Sequence, residues 1–464
     1  MRGAAGLLCL SLAAAPAAAD PRPAFPGAAG YGAFATGWRG GEIRKVTSLA
    51  DHGPGSLRAC AEGRSPRVCI FAVGGTIVLD SPLRLGPDLY LAGQTAPGSG
   101  IQIRLGQAAN TPVVIKNAHD VVVRFLKIRP GAPSRPSPSV DAVTVENAQR
   151  VYLDHLSLMY ATDELFNIHV SNALAADITL ANSILAWGLD RANHPKGRHS
   201  KGALICSGEG RRVACGRVTL WRNLFAHNRD RNPDVNATGT GPVEVLNNVF
   251  YNPVSQFGEF YNLYGDTRIT YAGNLALAGP STIRPRPPAA EAFPLEPDHA
   301  LDIHAWGNLA LDRGRRCNRA QPLQLWGAEA RKRLRPGPSL APPAPLPVPL
   351  IPAADVLQAV LAAAGDRTPS RPRDALDAQA AAEAAGCRGR VADRAEEAGG
   401  WPQLPQAQGP ADSDGDGLPD QWEAARPGLD PAVPSDPWAA DPQSGLPYIE
   451  AWLAELAGDR ETAQ

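Results

Sequence analysis

Beyond its first nineteen residues the chain has no apolar run long enough to cross a bilayer. It has no excess of basic charge either: 45 Lys and Arg stand against 46 Asp and Glu, a formal net charge of −1 that leaves no electrostatic footprint for nucleic acid. Integral-membrane, DNA-binding and RNA-binding functions fall away. There is no C-x-x-C pair to suggest a cysteine metal site. The glycine-rich stretch Pro26 to Gly41 is followed by neither G-K-[ST] nor a helix-like pattern, so it is no phosphate loop. Helical periodicity is missing between the apolar segments that begin at Val68.

What is there fits one large soluble domain with smaller additions: 464 residues, 44% hydrophobic and 20% charged. Met1 to Ala19 carries an early arginine, an Ala/Leu-rich run and the exit A-P-A-A-A, the pattern of a secretory signal peptide over 1–19, so the mature chain is expected to be exported. Export permits disulfides. Cys60 and Cys69, like Cys206 and Cys215, enclose eight residues, and local bridging of these two pairs is the simplest arrangement. Cys317 and Cys387 would then tie the C-terminal part to the body.

From Val68 the chain is a succession of short apolar strands broken by Gly, Pro, Asn and Asp, among them V-C-I-F-A-V, V-V-V-R-F-L-K-I, V-T-L-W-R-N-L-F and V-E-V-L-N-N-V-F. Asn223, Asn248 and Asn274 recur at gaps of 25 and 26, with Asn182 and Asn308 in similar context. A period in the twenties marks a stack of coils, each burying its apolar face on the next. Asparagine tolerates the left-handed backbone a coil corner requires. The expectation is an all-β parallel β-helix over 20–315.

After it come a Pro-rich linker or strap at 316–353, a helical extension at 354–395 and an acidic segment at 410–460. That segment holds D-S-D-G-D-G-L-P-D-Q-W-E. Asp412, Asp414 and Asp416 fall at calcium-loop positions one, three and five, Leu418 at the backbone-carbonyl position, and Asp420 and Glu423 at nine and twelve, with Gly417 at the sharp turn. A paired second loop is not evident, and this EF-hand-like calcium is read as structural.

Within the body, Asp141 and Asp163 lie 22 apart, near one coil, and can converge on one face with Asn167, an oxygen set suited to calcium. Asp154 is read as structural. Two coils on, H-S-K-G-A-L-I presents Lys201, and the turn H-N-R-D-R-N-P-D-V-N follows with His227, Arg229, Arg231 and Asp234. A carboxylate-held cation beside Lys and Arg suits a polyanion, since each positive group can hold the carboxylate of an acidic sugar.

These motifs, in this order (G-P-G-S-L-R, D-A-V, L-D-H-L-S, D-E-L-F-N-I, H-S-K-G-A-L-I, R-N-P and N-N-V-F-Y-N), resemble the pectate lyases, secreted enzymes built on a right-handed parallel β-helix. The resemblance spans most of Pro26 to Ser281. It implies calcium on Asp141, Asp163 and Asn167, substrate carboxylate on Lys201, and Arg231 as catalytic base, with Lys201 and Arg231 the catalytic pair. Arg229 and His227 are the further substrate-contact candidates. Where the family commonly has a third carboxylate this chain has Asn167, and where it has a further basic residue this chain has Asp234.

The implied reaction is β-elimination across α-1,4-polygalacturonate to unsaturated oligogalacturonides, by a secreted monomer acting on acidic polysaccharide. A guanidinium is almost always protonated, so stabilising developing negative charge is the role that elementary chemistry favours for Arg231. Two other readings compete: a lyase for another uronate polymer, and a non-catalytic β-helix that binds polysaccharide or serves as an adhesin.

Overall fold

The computed structural model describes residues 22–460 except 315 and 338–341, so the expected signal peptide lies outside the described residues. Short strands rich in Val, Ile and Leu pair in parallel with strands about one coil away in sequence. Val143–Glu146, for example, lies between Val113–Lys116 and Glu164–Ala181. Among the described residues, repetition of this step builds two sheets of seventeen and eleven strands, a parallel β-helix. Two long strands, Glu164–Ala181 and Lys201–Trp221, run side by side and join two faces of the larger sheet. The coil passes the expected boundary at 315: Leu334–Arg335 adds a parallel strand to Leu301–Trp306, and the helix Ala328–Lys332 buries Ala330 in the same core.

Inside the coil, aliphatic side chains from successive turns form one continuous column that includes Val121, Val151, Ile178, Val218, Val243 and Ile269. At one corner the stacked asparagines bond each other: Asn223 donates to Asn248, Asn248 to Asn274 and Asn274 to Asn308, through both backbone and side-chain nitrogens at 2.9–3.2 Å. Asn182 is not a rung. Ser183 takes that place, its backbone nitrogen donating to Asn223 at 3.0 Å, while Asn182 bonds Asp154. The left-handed residue is also the one before each rung: Asn182, Arg222, Asn247, Gly273 and Gly307 have φ between 46° and 63°. The ladder asparagines therefore serve as bonding groups and their predecessors make the bend.

Burial along the strands tells which faces are covered. The strands Leu89–Ala92 and Val151 to Asp154 are buried at every position, whereas Val113–Lys116, Val143–Glu146 and Ala290–Phe293 alternate between buried and partly exposed. The first group lies beneath the N-terminal residues 24–38 and the C-terminal segment, in a core with Trp38, Tyr90, Tyr152 and Trp452. The smaller sheet is covered by the helices Ala353–Ala363 and Ala375–Gly386, which pack Val356, Val360 and Ala380 on Ile184, Leu224 and Val249. The proline-rich segment runs along the outside, where Leu346 accepts from Gly30 and Ile351 exchanges bonds with Asn247. The alternating strands are left open to solvent, and they form the face that carries the site.

Three disulfides, Cys60–Cys69, Cys206–Cys215 and Cys317–Cys387, match the expected pairing. Among the described residues no helix is long and apolar enough to cross a membrane.

Candidate active site

Asp141, Asp163 and Glu164 each bring a carboxylate oxygen within 4.8 Å of the others at the middle of the open face. Asp141 ends the turn before Val143–Glu146, and its carboxylate is aimed by Thr144 Oγ1 at 2.5 Å and by the backbone nitrogen of Glu164 at 3.1 Å. Asp163 lies in the turn just ahead of the strand that starts at Glu164. Strict alternation begins only inside the strand, so these two neighbours can face the same space. Sequence spacing selected Asp163 and passed over Glu164 as a ligand; the register partner of Glu164, Lys201, was the signal that could have found it.

Burial, then the neighbouring charges of Glu164 and Asp163, holds the Asp141 carboxyl well above the usual carboxylate range. Glu164 and Asp163 are also raised, each chiefly by burial. Three crowded carboxylates with hard oxygen donors are a set that a calcium-like cation would neutralise. Asn167 stands beside them with its amide nitrogen 3.2 Å from Asp141 Oδ2, while its oxygen accepts from Ser207 at 3.1 Å. Its oxygen joins the donor set only if the amide turns over.

Asp163 has a second set of neighbours that the sequence reading left without a role. His199 Nε2 is 2.8 Å from its carboxylate, and His194 stacks on His199 with parallel rings 3.6 Å apart. Burial, helped by Lys201 beside His199 and by His199 beside His194, takes both imidazoles down to about 4. Near neutral pH both rings are uncharged, and His199 packs its Nε2 against the Asp163 carboxylate.

Lys201 begins its strand with Nζ 2.5 Å from Asp230 Oδ1. Gly202 follows it because the Arg231 carbonyl passes where a Cβ would stand, at 2.5 Å. That close approach brings Arg231 over the carboxylates, where its Nη1 contacts Glu164 Oε1 and its Nε lies 3.6 Å from Asp234. The Arg231 backbone has φ +56°, a left-handed conformation held by its nitrogen donating to Glu259 at 2.9 Å. Burial alone would ease the proton from Arg231, but Glu164, Asp234, Asp230 and Asp163 outweigh it and hold that proton more firmly than usual. Asp234, the departure from the family pattern, is itself buried and held well above the usual range by burial and by Glu259.

Two expected substrate contacts are placed otherwise. His227 is fully buried, stacked on Trp187 at 5.3 Å and set 3.0 Å from Glu383 of the helix Ala375–Gly386, so it faces the covered sheet and cannot reach a ligand in the groove. Arg229 gives two guanidinium nitrogens to Asp190 at 2.5 and 2.6 Å, which occupies the fork that would grip a sugar carboxylate.

No protein-family profile matches the sequence. It is 32% identical over 457 residues to the "Probable pectate lyase C" of Aspergillus terreus, covering 93% of this chain and 94% of that relative. A protein of the same name from Neosartorya fischeri is 38% identical over 276 residues, 59% of each chain. Among solved structures, that of jun a 1, the major allergen from cedar pollen, superposes with a TM-score of 0.54 at 18% identity, covering 73% of this chain and 92% of that one. The shared length and identity with the Aspergillus protein, together with the β-helix and its open face, show that this chain belongs to the pectate lyase family.

Proposed function

We propose that the protein is a secreted, calcium-dependent lyase that cleaves α-1,4-polygalacturonate by β-elimination, and that a second calcium binds the loop 412–423. The observation that carries the catalytic reading is the convergence of Asp141, Asp163 and Glu164 beside Lys201 and Arg231 on the one face of the coil left open. Lys201 and Arg231 are held by Asp230 and Glu164, and a uronate carboxylate is the ligand that would exchange with those partners.

In this reading Asp141, Asp163 and Glu164 hold calcium, with Asn167 contributing its amide oxygen, and His199 keeps Asp163 oriented. The bound ion supplies Lewis-acid neutralisation of the uronate carboxylate, which acidifies the proton on C5. Lys201 pairs with the same carboxylate and fixes the sugar in the groove. The C5 proton passes to a base in the groove, the C5–H electrons form the C4=C5 double bond, and the C4–O pair departs on the glycosidic oxygen, which takes up one proton from solvent in place of the one released. No water is consumed.

Arg231 faces the negative charge that develops as this proton leaves, and its guanidinium stabilises it. Acting as the base would require it to shed the counter-charge of Glu164 first; that step is open only when Glu164 serves as a ligand. Disulfide bonding supports function outside the reducing cytoplasm. Incubation with polygalacturonate, following the ultraviolet absorbance of the unsaturated product with calcium and with chelator, tests the reading. No product in the presence of calcium would overturn it.

A further inference from the structure

We infer that the loop 412–423 is a cation-operated clasp, locking the C-terminal segment across the first coils of the β-helix and so tying the two ends of the chain together. This rests on the second calcium proposed above and is independent of the chemistry on the open face.

Asp412, Asp414 and Asp416 bring carboxylate oxygens within 4.8 Å of one another. An acidic turn alone would prove little, and Glu423 decides the matter. Its side chain is fully buried and neither carboxylate oxygen has a hydrogen-bond partner; Asp414 Oδ2 is buried and unpartnered as well. The charged groups around it are Asp416, Asp414, Asp412 and Asp420, so this side chain faces the aspartates of the loop. A buried, unpaired carboxylate is costly unless something binds it. The backbone is already shaped for an ion: Asp412 accepts from Gly415 and Gly417 at 2.8 and 3.0 Å, and Asp416 accepts from Leu418 at 2.8 Å.

The loop is pressed on the start of the coil. Lys45 of the strand Glu42–Val46 pairs with Asp412. Gly417, at φ +104°, sits so close to Ile43 that a Cβ would come within 2.7 Å of its Cγ2. Leu418 is fully buried in the core that contains Trp38, Val68 and Ile70. Asp416 also binds the backbone nitrogen of Ser435 at 2.8 Å, and from there the chain continues into further contacts with the same region. Trp438 donates to the Gly41 carbonyl at 2.9 Å, Glu450 grips Arg39 through two bonds of 2.9 Å, and Asp459 grips Arg124 at 2.7 and 2.8 Å. Drawing the four carboxylates together therefore fixes the lead-in to all of these contacts, and their repulsion without an ion loosens it.

The test uses the full chain stripped with chelator, with calcium alone as the probe. Asp141→Asn/Asp163→Asn removes the ligands on the open face. That variant is expected to retain one calcium per chain by equilibrium dialysis and to gain thermal midpoint and resistance to proteolysis within 400–440 when calcium is added. Adding Asp412→Asn/Asp414→Asn should abolish retention and both gains. Glu423→Gln, which keeps the shape of the side chain, should weaken calcium binding about tenfold or more and decides the question should the multiple variant fail to fold. Gains that survive Asp412→Asn/Asp414→Asn or Glu423→Gln unchanged would overturn the clasp, as would calcium retention that moves neither midpoint nor cleavage. Failure of the wild type to release unsaturated product would sink the lyase reading and leave these readouts intact.

Discussion

Arg231 and Glu164 meet on the open face although 67 residues separate them in the chain. The contact joins the side chain expected to meet the reacting sugar to a member of the carboxylate group expected to hold the ion. Under the proposed function, binding of the cation and release of the guanidinium would be two sides of one exchange of partners.

Replacing Arg231 by lysine keeps a positive charge but loses the planar fork and its reach. Arg231→Lys should lower kcat by about 100-fold, the usual scale for one lost donor at a developing charge, with a much smaller change in KM. Steady-state rates of unsaturated product formation check this. A variant with near-native kcat would remove Arg231 from the chemistry.

The ion's affinity should follow the number of carboxylates that face it. Glu164→Gln is expected to raise the calcium concentration for half-maximal rate by about tenfold or more, and Asn167→Asp to lower it, since charge count tunes such sites. A calcium titration of the initial rate at saturating substrate distinguishes the two. Equal half-saturation in Glu164→Gln and the native chain would return Glu164 to a purely ion-pairing role with Arg231.

His227 should behave as a core residue. It is enclosed by Trp187, Tyr251 and the helix bearing Glu383, so His227→Ala leaves a cavity and is expected to cost about 2–4 kcal/mol of stability. Chemical denaturation measures that loss. KM for polygalacturonate should stay within about twofold of the native value, because the ring does not border the groove. A large KM increase without destabilisation would restore the substrate role first read from its position in the turn.

His227 also shows where sequence reasoning stops. Its charged turn is local, but what covers it is a helix that arrives about 150 residues later, and no spacing rule near His227 announces that cover. The repeat period, the asparagine stack and the cysteine pairs were legible because each is a regularity along the chain that maps directly onto neighbouring coils. Asp141, Asp163, Lys201 and Arg231 were singled out through their motifs, and the fold brings them onto one face. Glu164 was not singled out because its neighbour in the turn already filled the expected ligand place. Arg229 looked available because its partner, Asp190, lies 39 residues upstream in a loop with no pattern of its own. The ladder position of Ser183 was missed for a simpler reason: one residue of register separates it from Asn182, and either can occupy a coil corner.

Glu244 gives a pH test that stands apart from any metal. Its carboxylate is buried beneath the N-terminal residues, where Oε2 accepts from Thr219 at 2.8 Å, and burial pushes it up from the ordinary 4.5 to about 7. The folded chain therefore keeps this proton over a range in which the unfolded chain has lost it. Its contribution to stability is fully present below the unfolded value of 4.5 and is lost as pH rises through 7. The difference amounts to roughly 3 kcal/mol above that range. Glu244→Gln stays neutral and can still accept from Thr219, so it should match the native protein near pH 4.5 and exceed its stability at pH 8 by an amount of that order. Denaturation curves collected across this interval in chelator provide the comparison. Parallel pH profiles for the two proteins would show that Glu244 ionises normally in the fold.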